Sequence, residues 1–203
     1  RYLHKAVTIN AKISNPNAVI DGLLSIAEVH LARGNARAAA EVLARTGPLA
    51  DQQGDRYNLV RAKLLGADLA IAQGDPATAA TEAREAATLA IEASLMTGAV
   101  HAQARLAVAL ATLGEREEAL AAIDRVRALS ARLDRVERAE HVFHAIGVAL
   151  AACGDAAGAR ASLELAAREI QAKLDRLRTR ELRDSFAAVP FNASILAATG
   201  QRG

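Results

Sequence analysis

Apolar and small residues recur along the chain at spacings of three and four, as Leu106, Leu110 and Leu113 illustrate, which is the period of one helix face. A glycine followed by a polar residue interrupts the pattern at regular places. Gly34, Gly74, Gly114 and Gly154 are 40 residues apart each time, and their flanks align without a gap. The four copies read LSIAEVHLARGNARAAAEVL, LLGADLAIAQGDPATAATEA, ARLAVALATLGEREEALAAI and HAIGVALAACGDAAGARASL. Seven residues before each glycine stands Ala27, Ala67, Ala107 or Gly147; five after it, Ala39, Ala79, Ala119 or Ala159; nine after it, Leu43, Ala83, Ile123 or Leu163. Each copy predicts a helix, a tight turn and a second helix. Glycine takes the left-handed conformation that closes the first helix. Asn35, Asp75 and Asp155 are suited to cap the second and Pro76 to open it, with Glu115 the poorest cap of the four. The small residues flanking the turn let the paired helices pack closely.

The same phase organises the whole chain. Four hairpins are expected over about 17–51, 55–95, 97–133 and 135–174. Gly47-Pro48, Gly54-Asp55 and Thr97-Gly98 fall at or near the joints. Ala6 is in register with Ala86 and Ala166, so residues 1–13 read as the second helix of a truncated preceding repeat. The segment 175–203 breaks the phase. Pro190 divides it into a helix over about 179–188 and a shorter one. Phe186, Val189, Phe191, Ile195 and Leu196 are expected to cover the exposed last repeat, since a stacked array needs its ends capped.

Ala27, Gly34, Ala39 and Leu43, like Gly147, Gly154, Ala159 and Leu163, match the hairpin signature of the tetratricopeptide repeat, and the sequence resembles that family. The resemblance implies an all-α, right-handed superhelical solenoid of antiparallel hairpins with a C-terminal capping helix. The usual period is 34, so the extra residues here imply helices longer by up to about a turn. The family's tryptophan, first-helix tyrosine and closing proline are missing; His30, Ala70, Leu110 and Leu150 stand at the tyrosine position. The Leu182-Arg183…Ser185-Phe186…Val189-Pro190…Asn192 pattern resembles the segment that ends such arrays in large bacterial signalling proteins carrying a kinase, cyclase or ATPase.

Composition narrows the function. Aromatic residues are 2% of the chain and tryptophan is absent, so the helices approach through small side chains. Twenty-five cations against 23 anions leave no concentrated positive field, which argues against nucleic acid as a partner. Lys173, Arg176, Arg178, Arg180 and Arg183 are interleaved with Asp175, Glu181 and Asp184, the pattern of a solvated helix with internal ion pairs. A single cysteine fits a reducing cytoplasm, and no apolar run is long enough to span a membrane. Cys153 precedes a turn glycine at a helix C-terminus, where thiolate formation is disfavoured. His141 and His144 lie one turn apart near Glu137 and Glu140, and a metal would need a third ligand such as His101. No cysteine cluster or His-Glu-x-x-His motif supports one, so a metal-dependent enzyme is the remote alternative; no catalytic residue and no cofactor is assigned.

In the resembling family the first helices line the concave side. Counting 13, 10, 6 and 3 residues before each glycine places Asp21, Leu24, Glu28 and Leu31 there, then Arg61, Leu64, Asp68 and Ile71. The later copies contribute His101, Ala104, Val108 and Ala111, then His141, His144, Val148 and Ala151. This stripe is apolar for a surface, acidic toward one end and histidine-bearing toward the other. It fits docking of an amphipathic helix or extended segment, or permanent cover by another part of a parent chain. The expectation is a non-catalytic interaction or sensor module of a bacterial signalling protein, binding a protein partner or its own parent domain. The alternative is a small-ligand-sensing repeat domain with a dry pocket inside the superhelix.

Overall fold

Left-handed backbone sets the rhythm of the fold. The computed structural model describes residues 2–200; Arg1 and residues 201–203, which belong to the expected first and last segments, lie outside the described residues. Gly34, Gly74, Gly114 and Gly154 have φ of +73° to +82°, and Ser14, Gly54 and Ser94, each 20 residues before one of the first three, have φ of +55° to +64°. The structural unit is therefore half the sequence repeat, one helix and one turn every 20 residues. The turns are alike whether they close a first or a second helix. The N–H after the left-handed residue donates back to a carbonyl five residues earlier, as from Asn35 to His30 (2.8 Å), Asp55 to Ala50 (2.9 Å) and Leu95 to Ala90 (2.8 Å). This bond closes a Schellman motif and satisfies carbonyls the helix end would leave unpaired.

Eleven helices result among the described residues: α1 (Tyr2–Lys12), α2 (Pro16–Ala32), α3 (Ala36–Gln52), α4 (Arg56–Ala72), α5 (Pro76–Glu92), α6 (Met96–Leu113), α7 (Arg116–Ser130), α8 (Ala139–Ala152), α9 (Ala156–Arg176), α10 (Arg180–Ala187) and α11 (Pro190–Ala198). Asn15, Asp55, Asp75 and Asp155 cap α2, α4, α5 and α9 by accepting from the N–H three residues on. Asn35, expected to do the same for α3, makes no side-chain cap bond. Gly47-Pro48 does not mark a joint. It lies inside α3, where exposed Ala44 and Pro48 put the interrupted part of the hydrogen-bond ladder at the solvent face. Thr97-Gly98 lies in the first turn of α6, beside the joint at Ser94.

The helices pack as a solenoid in which each touches its chain neighbours and the first helices α2, α4, α6 and α8 also touch one another in sequence. Small residues make the contact intimate. Ala27, Ala67, Ala107, Ala39 and Ala119 have no accessible surface. A Cβ on Gly147 would stand 3.2 Å from the Ala159 carbonyl oxygen and from Leu163 Cγ, so that crossing of α8 and α9 is built around glycine. Ile195 and Leu196 of α11 close the far end by packing on Ala166, Ala167, Ile170 and Leu174, with Phe143, Phe186 and Phe191 beside them. Val189, expected in that cover, is 41% exposed, because it lies in the bend between α10 and α11.

The rhythm first fails before α8, and it fails again where α9 runs on through residue 174. A left-handed turn is due at residue 134, but α7 stops at Ser130, an irregular stretch follows, and the left-handed residue is Arg138 (φ +53°). The first helix of the fourth hairpin is shortened to 14 residues. At this joint α7 barely touches α8, and a cleft of about 490 Å³ opens between α7 and α9 over Val142, Phe143 and Ile146.

Candidate interaction face

The sequence of first helices curves, and it curves toward the face expected to be concave. Arg138, at the start of the fourth hairpin, forms an ion pair with Glu28 in the first, although α4 and α6 lie between them. The four columns of residues counted back from the glycines behave differently. The column ten before the turn is core. Leu24 is fully buried against Ala62 and Leu65 of α4, and Ala104 is 1% exposed, so Leu24 is not a groove residue. Leu64 is partly buried among Val60, Ala90, Ala99 and Ala102. The cause is that successive first helices pack on each other, and this column falls in their contact. In the column three before the turn, Ile71 (36%) and Ala151 are exposed and Leu31 is partly buried, but Ala111 is buried. The apolar stripe on the surface is therefore thinner than expected: Leu31, Ile71, Val108 and Val148 remain, with Val148 39% exposed.

Charge occupies the rest of the face. Asp21 binds Arg61, whose guanidinium also lies 3.9 Å from Glu28. Asp68 accepts two bonds of 2.7 Å from the Nε and Nη2 of Arg105, a bidentate pairing across the α4–α6 contact. His101 donates from Nε2 to the Glu137 carbonyl (2.8 Å), and Arg138 donates from Nη2 to Nε2 of His141 (2.9 Å). The two bonds fix opposite tautomers, because a carbonyl only accepts and a guanidinium only donates. Burial holds the His101 pKa down to about 4, with Arg105 adding to the effect. Burial and then the Arg138 charge hold that of His141 down to about 2. Both rings are neutral in neutral solution.

His141 and His144 serve an end of the array. The His141 ring stacks on Phe191 of α11 at 4.0 Å between centroids and 3° between planes, and His144 meets the same ring edge-on at 5.1 Å. Among the described residues no group of three His, Cys, Asp or Glu side chains is placed to hold a metal ion. Cys153 is buried beside its turn. Of the basic cluster near the C-terminus, Lys173 turns inward to bind buried Glu140 (2.6 Å) and Arg180 pairs with Asp184 (3.5 Å). The cleft between α7 and α9 is lined by none of the residues counted onto the curved face.

Arg105 and Arg138 were absent from the expected face. Arg105 is a lone cation in an otherwise uncharged α6, which is a legible signal; Arg138 has none, since its role depends on the failed turn at residue 134. Among the described residues no helix is long and apolar enough to cross a membrane. No protein-family model matches the sequence, and no curated protein matches it. Among solved structures the chain is similar to the crystal structure of BtubC (BKLC) from P. vanneervenii, with a TM-score of 0.66 at 18% sequence identity, over 98% of this chain and 82% of that one. At that identity the likeness is one of fold, and it agrees with the helices described above: the chain is an all-α helical-repeat solenoid.

Proposed function

We propose that this chain is a non-catalytic interaction module of tetratricopeptide type with a 40-residue period, part of a cytoplasmic bacterial signalling or regulatory protein. Its curved face receives a segment of a partner or a domain of its own parent. The observation that carries the reading is the row of four first helices. It presents paired charges from Asp21 and Arg61 to Glu28 and Arg138, with Ile71 and Val148 exposed beside them. An apolar contact fixed in register by charge is how such faces select extended or helical segments. Leu64→Glu is a poor probe, because Leu64 packs between α4 and α6. Ile71→Glu with Val148→Glu is the informative variant. Titration calorimetry against segments of the parent protein or its partners should show at least a tenfold loss of affinity with an unchanged melting temperature. Unchanged affinity in that variant would remove the curved face from the proposal.

A small-ligand sensor is the second reading, favoured by the cleft of about 490 Å³ with its floor of Val142, Phe143 and Ile146. A metabolite screen by thermal shift tests it, and a screen without a stabilising compound counts against it.

A further inference from the structure

We propose that Arg138 and Glu28 form a clasp that holds the curved face closed in the free protein and opens before anything occupies that face; the second half of this statement rests on the interaction reading above. The two residues are 110 positions apart and belong to the first and fourth hairpins. A solenoid is otherwise held only by contacts between neighbours and flexes along its length. One bond between distant units closes a path that neighbour contacts leave open.

The local structure is arranged to deliver this arginine. It stands where the 20-residue rhythm first fails, in a left-handed conformation that non-glycine residues adopt at a cost. The bonds around it hold it there: His101 binds the carbonyl of the preceding residue, Glu137, and Nη2 of Arg138 itself binds His141. On the other side Glu28 is attended by Arg61, which is in turn fixed by Asp21. The pair is half in water, with side-chain exposures of 47% for Arg138 and 35% for Glu28. Salt and competing ions reach it, so it is weak enough to release.

The test uses the full chain with no partner present, so its outcome is independent of whether the face binds anything. Spin labels are placed at the exposed positions Ala32 and Ala152, each replaced by cysteine, with buried Cys153 replaced by alanine. Pulsed dipolar spectroscopy then reads the distance between the first and fourth hairpins. In Arg138→Gln and in Glu28→Gln the distribution should broaden and shift to longer distances, and the double variant should shift no further than either single one. Raising the salt should move the unmutated protein the same way and leave the double variant unchanged. The salt series also stands by itself where a variant loses its helical circular dichroism. No shift in the singles and in salt, or shifts that add in the double variant, would overturn the clasp.

Discussion

Ser94 holds φ +58° at the place where the equivalent turn one 40-residue repeat earlier has Gly54. An L-residue in that conformation carries a steric cost glycine avoids. Ser94→Gly is expected to stabilise the protein by about 0.5–1 kcal/mol, net of glycine's unfolded-state entropy, read as a raised denaturation midpoint. Asp155→Ala removes the oxygen that accepts from the Gly158 N–H (2.9 Å) and should cost about 1 kcal/mol. The histidines supply a pH dependence with a definite sign. His101 and His141 are held well below the ordinary value of 6.5. Below that value the unfolded chain takes up protons that the folded chain does not, so stability falls as the pH is lowered. For His101 the loss begins near pH 6.5 and ends near pH 4, and for His141 it continues toward pH 2. Denaturant midpoints across pH 4–7 should decline toward acid, and His101→Gln should flatten part of that slope.

At the scale of the helix and its turn, glycine spacing made the four hairpins legible. Ala27, Ala67 and Ala107 are visible as small residues at one offset, and their complete burial follows from that offset. The finer rhythm was hidden because its intermediate turns use Ser14 and Ser94 as well as Gly54, and serine carries no such mark in a sequence. Pro48 misled for a related reason: a proline disrupts only the bonds near it, and the exposed side of α3 tolerates their loss. The end of the array hangs on Phe191, wedged against two histidine rings. Phe191→Ala should destabilise the protein by roughly 2–3 kcal/mol, less than a fully buried phenylalanine. The accompanying increase in amide hydrogen exchange should be concentrated in α9, α10 and α11.

For the molecule as a whole, stacking was legible and curvature was not. Repeats state which helix follows which. Whether the first and fourth hairpins meet depends on small angles accumulated over α4 and α6. The candidate face shows the consequence: Asp21, Glu28, Asp68, His101 and His141 were counted onto it one copy at a time, whereas Arg105 and Arg138, which join several of them, lie outside the counted columns. Arg61 alone was foreseen, as a member of the first column.

The equal length of the units has a consequence for how such an array can change. A duplicated block of 40 residues spliced at a regular turn between α2 and α8 would leave every helix in phase with its neighbours. It would also carry residue 138 one block farther from Glu28. Neighbour contacts cannot tell four hairpins from five, but a bond from the first to the fourth can. The Arg138–Glu28 bond thus fits one spacing only: one hairpin more or fewer between α2 and α8 would part the two residues.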